Sequence, residues 1–301
     1  LTSVRTVQKE RLAADVLPPF LAFSGLKDSV TDSIQVTPLS YKGWNILFCS
    51  VTEILNSYDS SKNRLYYSAP TKQGRAALLA IIKEARNRYP CDLFVLGLHL
   101  NEPEYGRTVS NAKKAWFKQL GEAGIDIIWA HHPHVMQSWE TITVERTVVL
   151  QGASKANSTT DQTTSGTDKA IAGHTGISDM KEAAVSEQCK VFCMYSMGNF
   201  ISNQRMERMD NKWPEQGLLM DVTFEKSNDK TIIKTVKAHP TLVYSKLNGR
   251  CINGIALYDY KVMILEDFID GGKHRDKLDE KMKKKVDIAY KEMMEHVNLK
   301  W

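Results

Sequence analysis

Asp126-Ile127-Ile128-Trp129-Ala130-His131-His132-Pro133-His134 is the stretch whose reading decides the fold. Four apolar residues, three of them β-branched or aromatic, read as a short buried strand. The strand opens directly into three histidines, and Pro133 fixes φ and removes a backbone donor there. His132 and His134 are thereby delivered to the C-terminal end of a strand, where α/β sheets place their ligands. Imidazoles two positions apart on extended backbone could serve two cations of a pair or clamp one. The plain alternative is loop polarity with no ligand at all.

Outward from that stretch, strands alternate with helices. Lys72 to Tyr89 is amphipathic, with Leu78, Leu79, Ile81, Ile82 and Ala85 on its inner side, and Pro90 stops it. Asp92 to His99 reads as a second buried strand that ends on His99. A loop with Glu102 and Glu104 follows, then a helix over Ser110 to Ala123 closed by Gly124. Asn45 to Thr52 is a third strand, apolar on both faces, and Ile34 to Leu39 an edge strand. This βαβ order predicts a layered α/β protein with a site at its strand tips.

Upstream, Thr2 to Leu17 has helical spacing and Phe20 to Phe23 reads as a strand. Downstream, Val144 to Leu150 is a β element. Gln151 to Glu187, rich in Ser, Thr, Gly and Ala, reads as a long insertion and contains Gly173-His174-Thr175-Gly176, a histidine read as a loop residue. Lys190 to Ser196 is another buried strand leading into Met197-Gly198-Asn199-Phe200. Gly217 to Phe224, Ile232 to Ala238 and Val243 to Ser245 predict an antiparallel meander turning at 227–230, with Tyr258 to Leu265 as a further strand. The domain reading is one body over 1–270, with residues 151–187 as its insertion, and a helical tail over 271–301. The tail's stripe of Leu278, Met282, Val286, Ala289, Met293 and Val297 fits a helix packed on its own domain, or a partner contact.

Composition narrows the function. The 301 residues carry 40 basic and 35 acidic side chains, a net +5 too small and dispersed to argue for nucleic acid. Five cysteines are too scattered for a disulfide framework, and Cys189 and Cys193 lack a second pair to complete a zinc set. No apolar run is long enough to span a membrane. The chain has no initiator Met, and its start reads as that of a processed or truncated piece.

Three motifs carry a family resemblance. His132-Pro133-His134-Val135 with Gln137 resembles the G-x-H-P-H-V-x-Q segment of CapA-type proteins of poly-γ-glutamate capsule synthesis. Tyr195-Ser196-Met197-Gly198-Asn199-Phe200 is similar to that family's Y-S-L-G-N-F, and His99 with Glu104-Tyr105 to its H-W-G-x-E-Y. The resemblance extends over about residues 1 to 245. It implies a metallophosphoesterase-like layered α/β sandwich, with helices outside two mixed sheets. It implies two divalent metal ions (Mn, Zn or Fe) held by His99, His132 and His134, with Glu104 and Asn199 as catalytic groups. It also implies Ser196, Tyr105 and Gln137 at the substrate.

The implied substrate is an anionic polymer or a phosphorylated compound, and the implied partners are membrane-embedded synthase subunits at the cell surface. A metal-dependent hydrolase is the leading expectation. A non-catalytic accessory and a γ-glutamyl amide hydrolase are the alternatives, the last without a nucleophile elbow, since Ser196 lies in Y-S-M-G-N. The chain departs from the family at Asn101 and Ala130, where the family has Gly. The family's early Asp, Asn-Leu-Glu and Asn-Asn-His motifs have no counterpart, so the N-terminal part of the fold is expected to be missing and the ligand set incomplete.

Overall fold

A computed structural model describes residues 24–56, 58–149, 184–227 and 230–297. Nine strands are present among them: β1 (Thr37–Tyr41), β2 (Trp44–Thr52), β3 (Leu93–His99), β4 (Ile127–His131), β5 (Trp139–Val149), β6 (Ala184–Met194), β7 (Gln216–Ser227), β8 (Lys230–Ile252) and β9 (Ile255–Ile264). Three long helices accompany them: α1 (Lys72–Arg88), α2 (Asn111–Ala123) and α3 (Glu280–Val297). The helix expected at 2–17, the strand at 20–23, His174 and the insertion over residues 151–183 lie outside the described residues.

The main sheet has the order β1-β2-β3-β4-β6-β5. Its four inner strands are parallel, and β1 and β5 close the two edges antiparallel. Parallel strands need both faces covered, which explains why the inner strands read as unbroken apolar runs. On β6, Val191 and Cys193 enter one core while Phe192 and Met194 enter the other, the period-2 alternation of a doubly covered strand. On β4, Ile128 and Ala130 face one side and Ile127 and Trp129 the other.

Helices α1 and α2 cover the first face. Thr71 caps α1 by accepting from the Gly74 amide at 3.1 Å, and Leu78, Ile82 and Ala85 turn inward at helical spacing. Ser110 caps α2 by accepting from the Lys113 amide, and Trp116, Phe117 and Leu120 pack onto the sheet. Each such side chain contributes roughly 2 kcal/mol of burial.

The second sheet, β7-β8-β9, covers the opposite face with Leu218, Val236, Leu242 and Met263. It is antiparallel throughout, because short hairpins rather than crossovers connect its strands. Helix α3 packs into the same core through Val286, Ala289 and Met293. Lys285 pairs with the buried Glu215, and Lys212 pairs with Glu292 at 2.5 Å.

Two boundaries differ from the sequence reading. Strand β6 begins at Ala184, inside the stretch read as insertion, because each of its residues from Ala184 to Met194 has a partner on β5. Strand β8 is one element of 23 residues, where the sequence reading has two, Ile232 to Ala238 and Val243 to Ser245. Pairing with β9 runs from Thr241 to Ile252, so the missing proline N–H falls where one side of the strand is unpaired.

Candidate functional site

The parallel register sets Thr52, His99 and His131 side by side at the C-terminal rim of β2, β3 and β4. Beyond His131 the chain turns sharply, with φ of 126° at His132 and 60° at His134. Left-handed backbone at side-chain-bearing residues costs about 1–3 kcal/mol each and survives only where the surroundings enforce it. A third such residue, Tyr105 at φ 62°, faces this turn and donates its amide to the Pro133 carbonyl at 2.7 Å.

The three histidines expected as ligands converge here. The His99 and His132 rings lie 4.9 Å apart between centroids, edge to face, and His132 and His134 lie 6.2 Å apart. Their tautomers follow from the hydrogen bonds. The Thr52 hydroxyl donates to the Ile54 carbonyl at 2.6 Å, so it can only accept from His99 Nδ1 at 2.9 Å. His99 therefore carries its proton on Nδ1 and presents a lone pair at Nε2, to which His132 Nδ1 donates at 3.2 Å. That leaves the Nε2 lone pair of His132 free of this pair.

His134 is fixed in the same way. Asn199 Nδ2 donates to the Pro214 carbonyl at 3.0 Å and to Gln204 Oε1 at 2.9 Å, which settles the amide orientation. Asn199 Oδ1 then accepts from His134 Nδ1 at 2.9 Å, and His134 Nε2 points outward, 3.9 Å from Glu104 Oε1. Imidazoles whose Nδ1–H is held by an oxygen acceptor and whose Nε2 is exposed have the arrangement of metal-ligating histidines. Burial, and then the neighbouring His132, His131 and His134, lower His99 to a pKa of about 4, so its imidazole is neutral at ordinary pH. His131 is lowered too, first by burial and then by Lys113.

Local packing enforces this geometry. Gly198 has φ 72°, and a Cβ there would sit 2.6 Å from the Gln216 carbonyl, so only glycine can carry the chain through the turn that delivers Asn199. The loop at 101–106 is clamped at three points. Lys113 holds Glu102 at 2.5 Å, Pro133 holds Tyr105, and Gln137 donates to the Gly106 carbonyl at 2.8 Å. Glu104 and Tyr105 come to the histidines on that loop, and Gln204 Nε2 donates to the Tyr105 hydroxyl at 3.2 Å.

Ser196 and Gln137, expected at the substrate, lie beneath the surface instead. Ser196 is 1% exposed and donates to the Val135 carbonyl at 2.8 Å. Gln137, equally buried, accepts from Lys113 at 2.7 Å. Asn199, expected as catalytic, spends its polar contacts on protein groups and aims His134. Glu104 and Tyr105 remain at the open side.

Sequence reasoning missed two charged residues here. Lys113, on α2, is buried, and its ammonium donates to Glu102, Gln137 and the Tyr195 carbonyl. Burial lowers its pKa, and Glu102 acts in the opposite direction. Glu53, directly after β2, is 1% exposed and takes a two-pronged bond from Arg75, at 3.2 and 3.1 Å. An acidic residue just past a buried strand was the available signal for Glu53; for Lys113 there was none.

Among the described residues, no group of three or more His, Cys, Asp and Glu side chains is close enough to enclose a cation. Imidazole nitrogen in general suits divalent metals such as Zn or Fe, and His99, His132 and His134 are the rings that lie together here.

Comparison with known proteins gives one family. The family described as bacterial capsule synthesis protein PGA_cap matches residues 19–204, more than half of the chain. No curated protein matches. Among solved structures, a hypothetical protein from Thermus thermophilus aligns at 8% identity with a TM-score of 0.31. The alignment covers 69% of this chain and 61% of that one, so the chain spans less than two thirds of that protein's length.

Proposed function

The chain belongs to the family of bacterial capsule synthesis proteins, and on that premise we propose that it serves capsule polymer synthesis or export as a metal-dependent hydrolase at the histidine rim. The observation that carries this reading is the pair of fixed tautomers, His99 through Thr52 and His134 through Asn199. His134 thereby turns its Nε2 lone pair outward, and the His99 Nε2 lone pair faces His132 Nδ1, where a cation would replace that hydrogen bond.

In this reading His99, His132 and His134 would hold the cation, once their rings close on it from their present spacing. A bound divalent ion would supply Lewis acidity and an activated water. The protein's own contribution is preorganisation. Thr52 and Asn199 keep the rings in one tautomer, and the low proton affinity of His99 keeps its lone pair available in mild acid. Glu104 stands 3.9 Å from His134 with half its side chain in solvent, where it can take or return a proton beside the bound group. Tyr105 lines the same opening. The substrate would be an anionic polymer such as poly-γ-glutamate or a phosphorylated intermediate of its synthesis, handled at the cell surface alongside membrane-embedded synthase subunits.

Elemental analysis of the full chain after incubation with Mn, Zn or Fe(II) tests the proposal. We expect at least one ion per chain, lost in His132→Ala and His134→Ala with the melting profile kept. Wild-type protein that takes up no ion would end it.

One observation favours a second reading, a non-catalytic accessory that binds the polymer or the synthase: among the described residues, no three His, Cys, Asp or Glu side chains, the three histidines included, stand close enough to enclose an ion. Retained polymer binding in a metal-free protein would support that alternative.

A further inference from the structure

Past its contacts with the body, the second sheet continues as a two-stranded ribbon formed by the ends of β8 and β9. It closes on Ile252-Asn253-Gly254-Ile255, with Asn253 at φ 50° and Gly254 at φ 78°, the two left-handed positions of a tight type I′ hairpin turn. Ile252 and Ile255 face each other across this turn and are 59% and 66% exposed; Leu247, further back on the ribbon, is 55% exposed. Three aliphatic side chains held out on a protrusion cost solubility without adding to either core.

The segment from Phe200 to Met209 lies alongside the ribbon. Arg205 donates to the Ser245 hydroxyl at 2.8 Å and stacks on Tyr258, with its guanidinium carbon 4.1 Å from the ring centre. This segment adds Phe200, Ile201, Met206 and Met209, all exposed. Between segment and ribbon lies a cleft of about 340 Å³, lined among others by Arg208, Arg250, Tyr258 and Tyr260. Among the described residues neither Arg208 nor Arg250 has a carboxylate partner, unlike Arg205, which pairs with Glu207.

We propose that this ribbon and the Arg208–Arg250 cleft form a docking surface for an anionic phospholipid bilayer, with Ile252 and Ile255 entering the acyl boundary and the two guanidinium groups taking lipid phosphates. The order of side chains along the ribbon supports lipid over a protein partner. Ile252 and Ile255 occupy the far end, and Arg250 stands behind them with the cleft that Arg208, Tyr258 and Tyr260 also line, which follows the polarity gradient of a bilayer interface. At the tip itself the backbone is paired, Cys251 with Ala256 and Ile252 with Ile255, and the irregularity over residues 248–250 lies behind it, beside the cleft. The surface also connects to the histidine rim. Tyr260 donates to Asn203 Oδ1 at 2.5 Å, and the next residue, Gln204, bonds both Asn199 and Tyr105. Docking would thus hold the rim at a set height above the membrane. This inference does not depend on the metal reading.

The test is co-sedimentation of the full chain with vesicles of phosphatidylglycerol and phosphatidylcholine in equal parts, against phosphatidylcholine alone. We expect binding to the anionic vesicles that weakens with salt, and no competition from millimolar glycerol phosphate. Ile252→Ser with Ile255→Ser should weaken binding about tenfold or more, and Arg208→Ala with Arg250→Ala by a similar factor. All four positions are exposed, so melting curves should not move; if the serine pair does not fold, the arginine pair still decides. Indifference of the wild type to anionic vesicles would overturn the proposal. So would full binding by both double variants, competition by free glycerol phosphate, or sedimentation velocity showing that the ribbon instead joins two copies of the chain.

Discussion

Strand β4 carries charged or ionisable clusters at both ends, and the two are built on opposite terms. At its N-terminal end, Asp126 is almost fully buried and completely satisfied. One carboxylate oxygen accepts from Arg86 and from the Phe94 amide, both at 2.7 Å, and the other from Arg146 at 2.6 Å. Arg146 spends two further donors on the Gly121 and Ile125 carbonyls. Past the C-terminal end, the backbone is strained at His132 and His134 and the rings keep outward lone pairs. A cluster that serves the fold uses up its valences; one that serves a ligand keeps some in reserve. Buried polar groups are expensive unless paired, so open valence and left-handed backbone together are features that stability alone would not retain.

The sharpest way to break this contrast is Asp126→Ala. It leaves Arg146 buried without its counter-charge, and loss of about 3–5 kcal/mol is expected in denaturant unfolding. Ion uptake per folded molecule should not change; loss of uptake at full stability would erase the distinction. Lys113→Met comes next. It strands Glu102 and Gln137 without their donor, at a cost of about 2–3 kcal/mol, and frees the loop that carries Glu104. Its signature is a proteolytic cut appearing between residues 101 and 107, and resistance equal to wild type would show that the clamp is not needed.

On the rim itself, effects should move from stability to binding. Thr52→Val removes the acceptor that fixes the His99 tautomer, and metal affinity should fall about 10–100-fold while unfolding shifts by less than about 1 kcal/mol. An unchanged affinity would mean that the tautomer argument is wrong. His134→Gly relieves the backbone at φ 60° and should stabilise the fold by up to about 1 kcal/mol while abolishing ion uptake. A residue whose removal strengthens the fold and removes binding belongs to function.

The same contrast explains what the sequence made legible. Buried strands, their alternation with helices and the histidines at their tips are written in local patterns of apolar residues, so Asp92 to His99 and Asp126 to His134 could be read directly. Lys113 could not, because a lysine on an amphipathic helix reads as solvent-facing. Its burial depends on Glu102 folding back over it from the preceding loop and on Tyr195 arriving just after β6. Thr52 was invisible as a site residue for a related reason: its role depends on parallel register with His99, which no single stretch encodes. Ser196 and Gln137 were expected at the substrate and lie buried beneath the rim, a depth that a short motif does not reveal. The aliphatic turn at Ile252 and Ile255 falls between the segments read as strands, Val243 to Ser245 and Tyr258 to Leu265, and only its exposure in the fold shows that nothing among the described residues covers it.

The smallest expected effect is in the pH dependence of stability. His99 is held at a pKa of about 4 in the folded chain, mainly by burial, while an unfolded histidine titrates near 6.5. Between those values the unfolded chain binds a proton that the folded chain does not, so falling pH favours unfolding. The contribution of His99 is fully present above about pH 6.5 and is lost progressively as the pH approaches 4. His131, lowered by burial and by Lys113, acts in the same direction. His99→Gln should therefore flatten the fall in unfolding free energy between about pH 6.5 and 4. Parallel curves for wild type and His99→Gln would show that the histidine is solvated in the folded chain, and that the rim holds no ring out of water.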